Sequence, residues 1–154
     1  MRNGLLLLDF LFPNLHAATT CNEKRSMYDR FENDEILKFC LKKYILSGDP
    51  ITNMRTIFFK IGRLYWDTPI NFAPMRAKIL YEHFCPPGGV IYDYSAGFGG
   101  RMLGALSSDN NFTYIATDPN TETFKNLQRL GSYIEKVTKR TNSYKLYNLC
   151  SEQL

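Results

Sequence analysis

A short apolar strand that runs directly into a glycine-rich turn constrains this chain more than any other feature. The strand is predicted over Val90–Asp93, and the turn has the sequence GFGG, beginning at Gly97. Only glycine adopts positive φ freely, and it lacks the Cβ that would keep a ligand away from the backbone. In open α/β sheets a strand, a tight glycine turn and a helix bring bare backbone against a nucleotide-like ligand. The pattern therefore predicts a nucleotide-binding α/β fold.

The glycines of this turn are predicted to have different tasks. Gly97 and Gly99 would provide the tight turn and the close approach of the backbone, whereas Gly100 and Gly104 would let the next helix pack near the strand. The turn lacks the third glycine of the G-x-G-x-x-G pattern, because Met102 stands at that position. A glycine-rich turn that binds no ligand can have the same sequence. The turn alone therefore does not distinguish a ligand-binding turn from a purely structural one.

A second apolar strand, predicted over residues 114–118, also ends in an acid. A helix follows Pro119, with Phe124, Leu127 and Leu130 at helical spacing, and a third strand is predicted over residues 144–150. Strands that alternate with helices in this order imply a parallel sheet with right-handed crossovers. We therefore expect an α/β fold, a partial Rossmann-like sheet of about three strands, with residues 1–70 as a mainly helical N-terminal extension.

Asp118 is the acid at the end of the second strand. It follows Asp93 at close to the separation of about 20 residues at which dinucleotide-binding folds place the acid that binds ribose. A carboxylate there can accept hydrogen bonds from both ribose hydroxyls. Asp118 can equally cap the following helix, because aspartate favours that position and Pro119 comes next. The two roles are compatible, and the turn and the acid together favour a ribose site.

Asp93 bears on the kind of ligand. A negative charge directly before the turn would repel the pyrophosphate of a dinucleotide. A ligand with a cationic amine suits this acid better. S-adenosyl-L-methionine (SAM) carries an ammonium group, a carboxylate and a ribose, which match an acid, a bare glycine backbone and a second acid. The residues therefore favour SAM, and a dinucleotide-dependent dehydrogenase is the least favoured alternative.

Composition excludes several other classes of protein. Hydrophobic residues make up 44% of the chain, which is enough for a core. The formal net charge of +4 is too small to argue for a polyanionic partner. The four cysteines are widely separated, without a C-x-x-C pair, and there are only two histidines. Reduced thiols in the cytoplasm, with no metal site, are therefore expected.

Three segments outside the glycine turn have local signals of their own. The apolar run from Gly4 to Phe12 has some features of a secretory signal, but Asp9 interrupts it and it is too short to span a bilayer. We expect this run to pack on the core as a strand or a helix. One helix is predicted to start at Asn33 or Asp34 and to stop before residue 48. Another helix is predicted to start at Pro74.

Two motifs resemble those of class I SAM-dependent methyltransferases. They are DYSAGFGGR, from Asp93 to Arg101, and ATDPN, from Ala116 to Asn120. They most resemble the DNA adenine-N6 methyltransferases of the phage and plasmid type, which carry an SAGFGGR turn. The sequence NFAP, beginning at Asn71, is similar to the motif that those enzymes place against the methionine end of SAM. The resemblance covers most of the chain and is densest between residues 71 and 120.

The resemblance implies that residues 71–154 are the SAM-binding half of a methyltransferase domain. Asp93 would bind the amine of SAM, Gly97 and Gly99 its methionine part, and Asp118 its ribose. Glu152 would lie near the adenine, and no residue is implied to bind metal. The complete set of implied cofactor-binding residues is Phe72, Asp93, Ser95, Ala96, Gly97, Phe98, Gly99, Asp118, Pro119 and Glu152.

The catalytic motif of that family is absent from this sequence. In the family, (Asp/Asn/Ser)-Pro-Pro-(Tyr/Phe/Trp) holds the exocyclic amine of a flipped base. The sequence CPPG, beginning at Cys85, has neither the acceptor nor the aromatic ring, and it precedes the glycine turn. We therefore expect a SAM-binding portion that is incomplete for catalysis by itself. A second chain, or a missing C-terminal half, would complete the sheet.

A non-catalytic DNA-binding or interaction module is the alternative function. Its glycine turn would be degenerate, and basic side chains would contact the phosphates while aromatic rings stack on bases. A solvated surface explains such a basic stretch equally well. The residues concerned are Arg55, Lys60, Arg63, Arg76 and Lys78, with Tyr65 and Trp66 nearby.

Overall fold

The computed structural model describes residues 4–19, 25–48, 69–138 and 143–154. The chain divides into two compact units. One unit joins the N-terminal segment, as far as Pro13, to Asn71–Leu154, and the other comprises Asn14–Ile70. The apolar N-terminal segment therefore groups with the sheet.

Helices and strands alternate along the second half of the chain, as the sequence predicts. In chain order the elements are α1 (Leu5–Leu11), α2 (Asn14–Ala17), α3 (Met27–Glu32), α4 (Asp34–Leu46), α5 (Pro74–Phe84), β1 (Val90–Asp93), α6 (Gly100–Leu106), β2 (Thr113–Thr117), α7 (Thr121–Thr138), β3 (Ser143–Tyr147) and the 3-10 helix Ser151–Gln153.

The three strands form one parallel sheet in the order β1-β2-β3. Ile91 pairs with Tyr114, which in turn pairs with Tyr144, so these three residues share one face. The predicted α/β class and the parallel sheet are confirmed. The arrangement is consistent with part of a Rossmann-like sheet, because α6 and α7 provide the crossovers between successive strands.

One face of this sheet carries the core of the unit. Tyr114 and Ala116 of β2 are buried there together with Leu8 of α1 and with Phe12, which follows that helix. Leu8, Phe12 and Tyr114 are completely buried. The expectation that the apolar N-terminal run packs on the core is therefore confirmed, and the run is a helix. Within the described residues, none of the helices has both the length and the apolarity needed to cross a bilayer.

The opposite face of β1 is open. Val90 and Tyr92 point to this face, and their exposed fractions are 61% and 50%. Among the described strands, β1 pairs only with β2, so its other edge has no partner among them. This edge of β1 is therefore unpaired within the described part of the chain.

The helical unit shows how local capping signals fix its elements. Ser26 and Asp29 form a capping box at the start of α3, with Ser26 N–H donating to Asp29 Oδ2 at 2.7 Å. Asn33 caps α4, because its Oδ1 accepts from Ile36 N–H at 3.1 Å. Buried Cys40 and Tyr44 form the small core of this unit. The predicted start of α4 at Asn33 or Asp34 is confirmed.

Candidate functional site

The glycine turn is fastened across the carboxyl ends of β1 and β2. The N–H of Ala96 donates to the carbonyl oxygen of Thr117 at 3.0 Å. The hydroxyl of Thr117, which is completely buried, donates to the carbonyl oxygen of Tyr94 at 2.9 Å. These two bonds place the turn at the sheet edge where open α/β folds bind their ligands.

Asp118 faces this turn. The N–H of Gly97 donates to its Oδ2 at 2.9 Å, and the N–H of Asn120 donates to its Oδ1 at 3.0 Å. Asn120 caps α7, since its own Oδ1 accepts from Thr123 N–H at 2.9 Å. Asp118 is therefore not the cap of this helix. Each of its carboxylate oxygens has one further lone pair, so it can still accept hydrogen bonds from a ligand.

Asp93 has all its acceptor positions filled by the protein. Arg101 donates through Nε to Oδ2 at 2.7 Å and through Nη2 to Oδ1 at 3.2 Å. The hydroxyl of Tyr114 donates to Oδ2 at 2.6 Å, and the N–H of Ser95 donates to Oδ1 at 3.2 Å. A carboxylate offers about four lone-pair sites. The cation beside Asp93 in this structure is therefore Arg101.

Burial and the charge of Asp93 change the titration of the groups around it. Burial, followed by the negative charge of Asp93, raises the pKa of Tyr81 to about 12. The same two causes raise the pKa of Tyr114 well above its ordinary value. Burial by itself would lower the pKa of the Arg101 guanidinium. The hydrogen bond to Asp93 and the negative charge of Asp93 outweigh burial and raise this pKa. The cluster therefore holds neutral phenols around one ion pair.

Gly97 and Gly99 both adopt positive φ but have different surroundings. The φ of Gly97 is +58°, and a Cβ placed on it would have no neighbour nearer than 3.9 Å. The φ of Gly99 is +77°, and a Cβ there would lie 2.7 Å from the ring of Phe12 and 2.8 Å from Leu130. Gly97 therefore presents open backbone, whereas Gly99 is packed into the core.

Gly100 and Gly104 pack against a different neighbour from the expected one. A Cβ on Gly100 would collide with the carbonyl oxygen of Phe72, and a Cβ on Gly104 would lie 2.6 Å from the Cβ of Ala77. Both glycines therefore allow α5 and the segment before it to approach α6 closely. The expectation that they serve helix-to-strand packing is corrected, because α5 lies along α6 at this point.

Asn71 holds the turn from the other side, and the sequence did not single out this side chain. Its Nδ2 donates to the carbonyl oxygen of Phe98 at 2.6 Å, and its Oδ1 accepts from Gly100 N–H at 3.2 Å. An amide is suited to this position because it both donates and accepts. The only sequence signal for this residue was its place at the start of the NFAP motif. Phe72, the implied ligand contact, is next in the chain and 38% exposed.

The remaining implied residues occupy different surroundings. Ala96 is buried beneath the turn, and the ring of Phe98 packs edge-to-face on Phe12 with the centroids 6.5 Å apart. Pro119 is exposed directly after Asp118. Glu152 is exposed on the 3-10 helix after β3, and within the described residues its side chain forms no hydrogen bond to the turn. The structure thus brings the turn and Asp118 together and leaves Glu152 outside that network.

The basic stretch of the alternative function is described only in part. Arg76 is exposed on α5. Lys78 donates to the carbonyl oxygen of Ser107 at 3.1 Å and lies 3.7 Å from the carboxylate of Glu82. One of the two described basic side chains is therefore engaged within the fold. The residues of this stretch that lie outside the described ranges are Arg55, Lys60, Arg63, Tyr65 and Trp66.

Comparison of this chain with protein-family models, with curated proteins and with solved structures finds no match.

Proposed function

We propose that the sheet-containing unit binds SAM and is the SAM-binding portion of a class I methyltransferase. The observation that carries this proposal is the meeting of open backbone at Gly97 with the carboxylate of Asp118. Both lie where the carboxyl ends of two adjacent parallel strands meet, which is the usual ligand position in such sheets. The free acceptor capacity of Asp118 suits the two hydroxyls of a ribose.

The same turn is less suited to a dinucleotide. Dinucleotide folds use a third glycine to pack the next helix closely on the strand, whereas this chain has the completely buried side chain of Met102 at that position. Gly100 and Gly104 instead allow close packing on the other side of α6, where Gly100 faces the segment before α5 and Gly104 faces α5 itself. A dinucleotide-dependent dehydrogenase therefore has less support than a SAM site.

The finer parts of the proposal rest on the family resemblance. DNA would be the substrate, with adenine N6 as the methyl acceptor, and the cytoplasm would be the location. Transfer would be a direct in-line displacement of the sulfonium methyl, in which positioning supplies most of the catalysis. A second chain would supply the acceptor motif and pair with the edge of β1 that has no partner among the described strands.

Isothermal titration of the full chain with SAM and with S-adenosylhomocysteine tests the proposal. We expect saturable heat from both ligands, and an affinity about tenfold lower for Asp118→Asn, since an amide cannot accept both ribose hydrogen bonds. Glu122→Gln is the matched control, because it removes an exposed carboxylate from the first turn of α7. Absence of heat from the wild-type chain at high micromolar concentrations would contradict the proposal.

Two further measurements separate the alternatives. An increase in NADH fluorescence on adding the protein, without heat from SAM, would favour a dinucleotide site. DNA binding that weakens steeply with salt, again without SAM binding, would favour the interaction module.

A further inference from the structure

The open space beside Gly97 is lined by a positive group. An atom at the Cβ position of Gly97 would lie 4.0 Å from Nη2 of Arg101 and 3.9 Å from the carbonyl oxygen of Ser95. These are the only heavy atoms of the described structure, beyond the chain neighbours, within 4 Å of that point. A ligand group seated on this bare backbone therefore meets the guanidinium before it meets Asp93.

Arg101 is held in this position by a buried acid. Both oxygens of Asp93 accept from Arg101, and Nη2 also donates to the carbonyl oxygen of Ser95. The side chain of Asp93 is 7% exposed and that of Arg101 is 33% exposed, so the positive end of the pair faces outward. Nη1 has no hydrogen-bond partner among the described residues. Its two N–H groups therefore remain for a ligand.

We propose that Arg101 anchors an anionic group on the tail of the nucleoside ligand, and that in SAM this group is the methionine carboxylate. The inference rests on the proposed SAM site and deepens it. Asp93, which the resemblance assigns to the amine, acts instead as a positioning residue that holds Arg101. Gly97 lies between the proposed ribose-binding acid and the proposed anion-binding arginine, because its N–H donates to Asp118 and its open side faces Arg101.

The chemistry of arginine supports this role. A guanidinium is always charged in proteins and matches the planar oxygens of a carboxylate. Hydrogen bonds between such charged partners are shorter and stronger than those between neutral groups. A phosphate offers similar anionic oxygens. The test therefore has one arm for each source of the anion.

Three adenosine ligands distinguish the contribution of the amino-acid tail to binding from that of the nucleoside. SAM has the complete tail, decarboxylated SAM lacks only the carboxylate, and 5′-methylthioadenosine lacks the whole amino-acid portion. Titration calorimetry on the full chain should show that SAM binds about ten- to a hundredfold more tightly than decarboxylated SAM, as expected for a charge-assisted contact. NADH is the probe for a phosphate in the same place.

The variants must keep the fold while removing the cation. Arg101→Gln alone leaves Asp93 buried without its partner, which is destabilising. The double variant Asp93→Asn/Arg101→Gln removes both charges, and Arg101→Lys keeps the charge without the planar fork. Lys125→Gln on the exposed face of α7 is the matched control for loss of one cation. We expect the double variant to bind SAM and decarboxylated SAM equally, to retain affinity for 5′-methylthioadenosine, and the control to behave as wild type.

The outcomes distinguish this inference from the proposed function. If wild type binds SAM and decarboxylated SAM equally, the role of Arg101 is refuted while the SAM site stands. If wild type binds none of the three adenosine ligands, the proposed function fails and the inference fails with it. NADH binding that depends on Arg101, without SAM binding, would replace the carboxylate by a phosphate and overturn the inference.

Discussion

The carboxylate of Asp93 accepts four hydrogen bonds from three different parts of the chain. Ser95 and Arg101 are local, whereas Tyr114 comes from the neighbouring strand. The residue next to Asp93 in register is Ala116, so Tyr114 reaches it along the same face of the sheet. At the scale of single residues, this acid is a structural element of the site, because it joins the turn, β2 and α6.

Stability should fall at alkaline pH through the phenols of this cluster. The folded pKa of Tyr81, about 12, and that of Tyr114 exceed the ordinary value of 10.0, so above that pH the unfolded chain releases protons first. The stabilising effect is complete below pH 10 and is lost as the pH rises through the folded values. Each phenol contributes a slope of about 1.4 kcal/mol per pH unit to the free energy of unfolding.

The variant Tyr114→Phe tests this prediction. Urea unfolding across pH 7–12 should show a slope above pH 10 that is smaller by the contribution of one phenol. At neutral pH the variant should lose about 1–3 kcal/mol, since Asp93 loses a buried donor. Tyr133→Phe, at an exposed position of α7, should leave the neutral-pH stability unchanged. An unaltered alkaline slope in Tyr114→Phe would contradict the prediction.

At the scale of the elements, different glycines of the turn and α6 serve different purposes. Some allow helices to pack closely, and one leaves the backbone accessible to a ligand. Gly99 allows α1 and α7 to meet beneath the turn, through Phe12 and Leu130. Gly104 allows α5 and α6 to approach, because Ala77 occupies the space of its missing side chain. Gly97 packs tightly against none of these helices, because the nearest α6 atom to a Cβ at this position would be Nη2 of Arg101, 4.0 Å away. Its lack of a side chain is therefore explained by backbone conformation and by open space.

Alanine substitutions at Gly97 and Gly99 form a matched pair. Both residues have positive φ, so each substitution costs about 1–2 kcal/mol in the backbone. Gly99→Ala also overlaps Phe12 and Leu130, which adds about 1–3 kcal/mol of overpacking. We therefore expect chemical denaturation to show the larger loss for Gly99→Ala and titration calorimetry to show weaker SAM binding for Gly97→Ala. Equal losses of stability in the two variants would contradict this division of roles.

How much of these elements could be predicted depends on how local their signals are. The strand at Val90–Asp93, the helix that starts at Pro74 and the cap at Asn33 all follow from neighbouring residues and agree with the structure. The contacts of Gly104 and the bonds of Asn71 do not, since they join segments about 30 residues apart. A single sequence contains no signal for that pairing.

On the scale of the whole molecule, the described residues bury one face of the sheet and leave apolar side chains of β1 exposed on the other. Val90 and Tyr92 lie on the open face, beside the edge of β1 that pairs with no described strand. Exposed apolar patches of this kind mark interaction surfaces, and an unpaired strand edge adds free backbone groups. Both features predict that this face and edge associate with another chain.

Lysine substitutions on this face test its tendency to associate. In sedimentation velocity over a concentration series, we expect wild type to associate and Val90→Lys/Tyr92→Lys to remain monomeric, because charged edge residues oppose strand pairing. Both side chains are exposed, so the fold should persist in circular dichroism. Ile45→Lys, which replaces an exposed apolar residue of the helical unit, should associate as wild type does. A wild-type chain that is monomeric throughout would contradict the prediction.

The sequence by itself determined where the strands, the glycine turn and the cap at Asn33 form, and it placed two acids at the carboxyl ends of β1 and β2. These features depend on residues that are neighbours along the chain, and their chemistry is local. Only the tertiary structure decided which partner each acid takes. Asp93 is saturated by Arg101, Tyr114 and Ser95. Asp118 accepts one backbone N–H at each oxygen, from Gly97 and Asn120, and keeps acceptor capacity for a ligand. Strand register and helix packing set those distances, and neither is encoded in the spacing of residues along one segment.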